Sequence, residues 1–202
     1  MRGSLLSNNH LFKEENMRYI LASKSPRRRE LLSRVIPEFE IVVREVDETL
    51  PDGMHPSLGV EMLAVRKGDA VVPLVGEGAV VISSDTLVEY DGIPLGKPRD
   101  ADDARRMLRM LSGVRHNVHT GVAVHYRGRC FSGVSTTAVE FLPLSDEEID
   151  AYIASGEPMD KAGAYGIQGL GGRLVRGYFG DYNTVVGLSL ELTEALIREA
   201  TK

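Results

Sequence analysis

The chain has 202 residues, 43% of them hydrophobic and 26% charged, ample for one domain with a substantial core. Its formal net charge of −5 excludes a nucleic-acid polymer as main partner, since such proteins carry a basic stripe, but leaves room for a small anion in a local basic pocket. The single cysteine, Cys130, rules out an internal disulfide and fits a reducing, cytoplasmic setting.

In chain order, residues 1–16, "MRGSLLSNNHLFKEEN", lack the apolar centre and cleavage site of a signal peptide. They are read as a flexible extension ahead of one α/β domain over residues 17–202. Arg18–Ala22 predicts a short buried strand, Ser23–Pro26 a turn and Arg27–Val35 a helix. Phe39–Val46 alternates as a second strand, followed by the acidic, turn-rich "DETLPDGMHPS". Leu58–Val72 recurs at helical spacing through Val60, Leu63, Ala64, Lys67, Ala70 and Val71. "AVVISS", Ala79–Ser84, predicts a buried strand, and "LVEYDGIPL" a hairpin through Asp91-Gly92. Ala101–Leu111 predicts an amphipathic helix. Two long strands joined at Arg127–Arg129 follow, with Cys130 expected as a core side chain. Ser145 starts a helix with Glu148 as its capping-box partner. The Gly-rich "DKAGAYGIQGLGG" precedes a strand near Leu174–Val175 and a closing helix, Leu190–Ala200. Interspersed crossovers and hairpins predict an α/β protein with a mixed sheet. No apolar run approaches the ~18 residues of a membrane helix, so no membrane partner is expected.

The first helix poses a question of charge. Ser25 suits its N-cap and Pro26 its first position, so the amides of the Ser23–Ser25 turn form a ready anion site. Yet Arg27, Arg28 and Arg29 occupy this positive end, where each cation costs roughly 0.3–1 kcal/mol at an exposed site. They make sense if a triphosphate binds there, because guanidinium forks match phosphate oxygens in pairs. At about 100° per residue they cannot all face one ligand. Arg27 or Arg28 turns to the cleft, and Arg29 to solvent.

Asp85 follows a buried strand, where open α/β sheets place their ligands. Together with Asp47 or Glu48, which also follow a strand, it suits a hard cation such as Mg²⁺. Lys67 lies on the apolar stripe of its helix, Lys97 is held extended before Pro98, and Lys161 opens the Gly-rich loop. "GIPLGKP" lacks the spacing and the Ser or Thr of a Walker loop, and "GLGG" is not a dinucleotide fingerprint. His116 and His119 fall on opposite faces of a strand, which argues against zinc. No nucleophile elbow supports Ser/His/Asp catalysis.

Five segments together resemble the Maf family of nucleoside triphosphate pyrophosphatases, in content and in order. They are "LASKSPRRRELL", "SSDTLV", "GKPRDADDARRML", "DKAGAYGIQGLGG" and "GDYNTVVGL", spanning about Met17 to Ala200. The resemblance implies an elongated, two-lobed, Maf/ITPase-like α/β fold with a central cleft, commonly as a homodimer. It implies hydrolysis of a nucleotide to its monophosphate and pyrophosphate with a divalent metal cation, Mg²⁺ or Mn²⁺. Carried over by position, it makes Asp85 the proton acceptor or a metal-site acid, with Asp47 or Glu48 as the second acid. Arg27, Lys67 and Lys97 become phosphate-binding residues beside the Ser23 and Ser25 turn. Arg27, Thr86 and Gln168 become the positions tied to substrate choice.

Within the family, Arg27, Thr86 and "YGIQG" resemble the dTTP/UTP type; the 7-methyl-GTP type has an aromatic residue after the proline. Ser84 and Ser189 depart from the family's usual Ala and Pro. Gln168 suits a uracil or thymine edge, because a side-chain amide offers an acceptor and a donor in matching order. The expected activity is therefore pyrophosphate release from dTTP or UTP, or from modified pyrimidine nucleotides, in nucleotide-pool housecleaning. The alternatives are a pyrophosphatase for 7-methyl-GTP or another non-standard nucleotide, and a nucleotide-binding regulator of septum formation without turnover.

Overall fold

The computed structural model describes residues 17–202. The extension expected over residues 1–16 lies outside the described residues. Strands β1 (Arg18–Leu21), β2 (Glu40–Ile41), β3 (Ala79–Tyr90), β4 (Ile93–Leu95), β5 (Arg115–Tyr126), β6 (Arg129–Phe141) and β7 (Val175–Phe179) form one seven-stranded mixed sheet. Its order is β2-β1-β3-β5-β6-β7, with β4 also beside β3. β1 pairs parallel with β2 and β3; every other pairing is antiparallel. The helices are α1 (Pro26–Ser33), α2 (Pro56–Val75), α3 (Ala101–Leu111), α4 (Asp146–Ala154), α5 (Tyr182–Val186) and α6 (Leu190–Ala200). No helix among the described residues is long and apolar enough to cross a membrane.

The local chemistry explains most boundaries. In α3, Asp100 caps the Asp103 amide, and Ala104, Met107, Leu108 and Leu111 make one buried stripe at helical spacing. In α4 the reciprocal Ser145–Glu148 capping box is formed, as its spacing predicts. Gly68 and Gly121 let α2 lie directly on the sheet. A Cβ on Gly121 would fall 2.3 Å from the Val60 carbonyl oxygen, and one on Gly68 would fall 2.2 Å from the His125 ring.

Three expectations need correction, and one element was not foreseen. The second strand is only Glu40–Ile41, because its partner β1 ends at Leu21 and pairing stops with Val42 N–H donating to the Leu21 carbonyl at 3.2 Å. β3 does not stop at Ser84. It runs on to Tyr90, because β5 pairs with it without interruption from Val81 to Glu89. Cys130 is exposed beside the β5–β6 turn rather than in the core. Partial desolvation by its neighbours, then the charges of Asp69 and Glu61, raise its thiol, so it is no activated nucleophile. The short α5 was not foreseen, since "YNTVV" is rich in β-branched residues; its signal is Asp181, which caps the Asn183 amide.

Buried side chains gather mainly into two cores. One contains Val88, Leu108, Val118, Phe141, Ile149 and Tyr165. The other contains Leu21, Leu31, Leu32, Ile82, Val122 and Ile197. β3 and β5 run through both, giving the two-lobed arrangement. Between the cores these strands carry polar residues: Ser83 to Thr86 on β3, and His119 and Thr120 on β5. Buried polar groups need partners, and this band between two greasy lobes is where the site lies.

Candidate active site

A strand has two edges. β5 takes one edge of β3, so β1 and β4 must share the other. β1 covers Ala79–Ile82 and β4 covers Val88–Tyr90, which leaves the edge of Ser83–Leu87 open. A cleft of about 810 Å³ occupies that gap, within the size range of small-molecule sites. Asp85 therefore sits mid-strand, yet it still marks the end of the parallel pairing, which is where open α/β sheets put ligands.

All the predicted site residues except Asp47 line this cleft: Ser23, Ser25, Arg27, Glu48, Lys67, Asp85, Thr86, Lys97 and Gln168. Seven cationic side chains face four carboxylates along its walls, an excess of three positive charges in a chain of net −5. A polyanion is the ligand class that such a local reversal of charge attracts.

Asp85 is 9% exposed. α2 places Lys67 over it, with Nζ 2.5 Å from Asp85 Oδ1 and 2.8 Å from Glu48 Oε1. One ammonium thus joins two carboxylates from separate segments. Burial alone would raise the Glu48 carboxyl, but the Lys67 hydrogen bond and charge, aided by Lys97 and Arg28, hold it below the usual range. Of the two candidate acids, Glu48 is therefore the one the fold brings to Lys67 beside Asp85. Asp47 points elsewhere: its carboxylate accepts the Thr49 amide at 2.9 Å, and its backbone carbonyl takes Arg66. The sequence left Asp47 and Glu48 as alternatives, and the fold places Glu48, not Asp47, in the cleft.

The two carboxylates fit a divalent cation of the Mg²⁺ kind, which takes one or two carboxylates plus substrate phosphates and keeps several waters. Among the described residues no group of three or more His, Cys, Asp or Glu could hold a metal by itself. The donor set suits a cation completed by the ligand rather than a dedicated cage.

At the first turn, Ser25 accepts the Arg28 amide as N-cap. Arg28 is held by three protein acceptors: Nε to the Gly187 carbonyl at 2.8 Å, Nη2 to Thr86 Oγ1 at 3.1 Å and Nη1 to Ser23 Oγ at 3.4 Å. Burial lowers its guanidinium, while Asp85 and Glu48 oppose this. Arg27 reaches across the cleft to Asp160 at 3.4 Å, and Arg29 is exposed. Both Arg27 and Arg28 therefore face the cleft. Sequence reasoning left the choice open and carried over only Arg27. Arg28's angular position beside Leu31 and Leu32 was the signal for its inclusion.

The far wall is the Gly-rich segment, folded as three short 3-10 turns. Glu157 suspends it, accepting Tyr152 Oη–H, the Leu170 amide and the Gly171 amide, each at 3.0 Å. Gln168 is presented from this loop into the cleft, and its side-chain amide has no hydrogen-bond partner among the described residues. Lys161 also lines the cleft, with Nζ 2.6 Å from both Asp160 Oδ1 and the Glu157 carbonyl. Its place at the head of the loop hinted at this role without establishing it.

Comparison with known proteins agrees with the geometry. A dTTP/UTP pyrophosphatase of Vibrio cholerae serotype O1 is 52% identical over 180 residues, covering 89% of this chain and 96% of the relative. A dTTP/UTP pyrophosphatase of Bacillus cytotoxicus is 47% identical over 182 residues, covering 90% and 93%. The structure of the Staphylococcus aureus Ham1 protein shares the fold at 15% identity, with a TM-score of 0.50 over 91% of this chain and 94% of that one. The family described as "Maf-like protein" matches residues 18–200, and the chain belongs to the Maf family.

Proposed function

We propose that this chain hydrolyses dTTP and UTP at the α–β phosphoanhydride bond, releasing the nucleoside monophosphate and pyrophosphate. The observation that carries this is the pairing of Asp85 with Lys67 inside a cationic cleft whose opposite wall presents an unpartnered Gln168. The names of the relatives described above support the same substrates.

Arg27, Arg28, Lys67 and Lys97 hold the phosphate chain, with the Ser23–Ser25 turn at its edge. Asp85 and Glu48 would hold a divalent cation, which when bound neutralises phosphate charge and helps align the attacking and departing oxygens. Lys67 fixes Asp85 through Oδ1, leaving Oδ2 to orient a water and accept its proton as that water attacks the α-phosphorus. Such general-base assistance contributes typically 10²–10⁴-fold. Gln168 reads the N–H and carbonyl of a uracil or thymine edge. A cytosine reverses that pattern, so once the closed site holds the amide in one orientation it leaves polar groups unpaired, at a cost of about 1–3 kcal/mol.

The test is kcat/KM across dTTP, UTP, CTP, ATP, GTP and 7-methyl-GTP with Mg²⁺, with phosphate and pyrophosphate distinguished among the products. The expected result is pyrophosphate release, fastest from dTTP and UTP. A purine preference, release of single phosphates, or binding without turnover would overturn the proposal.

A further inference from the structure

Gln168 stands between two fixed points of the Gly-rich segment. On one side, Glu157 holds the amides of Leu170 and Gly171. On the other, Tyr165 Oη lies 2.8 Å from His116 Nε2 on β5. The two points differ in what they fasten the segment to. Tyr152, which accepts the Gly166 amide, belongs to α4, and Glu157 to the turn that follows it. Gly163 donates to the Gly96 carbonyl at 3.0 Å, just beyond β4. Among the described residues, the Tyr165–His116 bond is the one hydrogen bond from residues 161–171 to a strand of the sheet.

The backbone is strained immediately before this contact. Gly163 and Ala164 both lie in the left-handed region, with φ of 67° and 59°. Glycine adopts it freely, whereas alanine does so at a steric cost. A Cβ on Gly163 would also fall 2.8 Å from Val88. The double turn sends Tyr165 inward, where its ring meets Phe141 edge-on at 4.6 Å and His116 at 5.4 Å between centroids. His116 packs edge-on to Phe141 in turn, at 5.0 Å. A strained residue persists only where its surroundings over-determine it. Here they are three buried rings closed by one hydrogen bond, and Tyr165 Oη has no other hydrogen-bond partner among the described residues.

We propose that His116 is a positioning residue that acts through Tyr165 to hold Gln168 at a fixed distance from Asp85, and so serves the choice of base rather than the cleavage itself. This rests on the pyrophosphatase function proposed above, in which Gln168 meets the base and Asp85 serves the α-phosphorus. A ligand read at one end and cut at the other needs both ends held at one separation. β5 pairs with β3 without interruption from His125 to Asn117, so His116, the next residue, ties the loop to the strand that carries Asp85. Glu157 does not supply this tie, because it fastens the loop only to α4 and the turn after it.

The test measures kcat and KM for UTP and CTP, beside a thermal melt, in the wild-type chain, Tyr165→Phe, His116→Leu and His116→Gln. Tyr165→Phe keeps the ring and removes only the hydroxyl. Its preference for UTP over CTP in kcat/KM should fall roughly fivefold, through a raised KM for UTP at near-native kcat, with CTP used as before. His116→Leu should do the same. Glutamine carries an amide near the reach of Nε2 that pairs with a hydroxyl in either sense, so His116→Gln should keep most of the preference. A merely structural bond would lower the melt and slow both nucleotides together, and that result overturns the proposal. So does an unchanged preference in a folded Tyr165→Phe chain. A wild type that uses UTP and CTP equally would overturn the reading of Gln168 along with this one, and absence of pyrophosphate release from UTP would overturn the function beneath both. Should His116→Leu fail to fold, Tyr165→Phe decides the matter alone.

Discussion

Asp85→Asn separates chemistry from architecture. The replacement keeps the side chain's shape and its Oδ1 acceptor for Lys67, which lies 2.5 Å away in the native chain. Lys67 also retains Glu48 at 2.8 Å, so no uncompensated ammonium is left in the cleft. Removing one partner of a buried ion pair outright costs about 3–5 kcal/mol; with the second carboxylate retained, the cost here should be near 1 kcal/mol. For a domain of this size that is about 2–4 °C in melting temperature. The loss of a proton acceptor removes about 10²–10⁴ in rate, or roughly 3–5 kcal/mol of barrier lowering. Pyrophosphate release from dTTP with Mg²⁺, read beside a thermal melt, should therefore show a collapsed kcat in a folded protein. An Asn variant keeping more than about a tenth of native kcat/KM would remove Asp85 from the chemistry. A melting temperature lowered by well over 10 °C would show that the charge holds the lobes together instead.

Arg28→Ala loses three protein contacts and should lower both kcat/KM and stability, the latter by about 1–3 kcal/mol. Arg27→Ala loses only a long contact to exposed Asp160, so it should raise KM while leaving the melt unchanged; equal melts for the two variants would refute the contrast. Glu157→Gln sets a side-chain NH₂ against one of three donors and should loosen the Gln168 loop, so the preference for UTP over CTP should fall more than turnover of UTP itself. Burial pushes the His116 imidazole from its ordinary 6.5 down to about 4. The unfolded chain then binds that proton more readily than the folded one. The stability this provides is complete above pH 6.5 and is lost as pH falls toward 4, on the order of 3 kcal/mol. Melts between pH 7 and 4 should show the decline, and His116→Gln should flatten part of it.

Much of the site could be read from residues alone, because its segments combine local rules with unusual chemistry. "SKSP" announces a helix start, and three arginines at the wrong end of a dipole announce an anion. Asp85 after an apolar run and Lys67 on an apolar stripe each stand out as charges in apolar surroundings, but their pairing comes only from the fold. What escaped depends on pairing between distant segments. Nothing local reveals that β1 and β4 divide one edge of β3, so Asp85 was expected at the end of a strand rather than in its middle. The choice between Asp47 and Glu48 rests on where Lys67 arrives from α2. Cys130 looks like a core residue by composition, but the strand it opens starts at a solvent-exposed turn. α5 is held by tertiary bonds to Thr184 rather than by helix propensity.

The deeper difficulty for this site is that it must bring a polyanion against a carboxylate. Two like charges about 4 Å apart repel by roughly 4 kcal/mol at an effective dielectric constant near 20, and a triphosphate brings several. On the proposed function, Lys67 would offset this repulsion, since its ammonium already bonds Asp85. An ammonium has three protons to donate, and Asp85 and Glu48 take two. The third remains for a phosphate oxygen, so the ligand can be bound without releasing the acid. Arg28 acts similarly from the other face of β3: its protein contacts use one proton each on Nε, Nη1 and Nη2, leaving one on each terminal nitrogen. On the proposed function, these two remaining protons would be available to phosphate oxygens. On the proposed function, the protein bonds that fix these cations would leave their remaining protons for the ligand, and the helix-end arginines that look misplaced in sequence would supply the counter-charge without which Asp85 would repel its substrate.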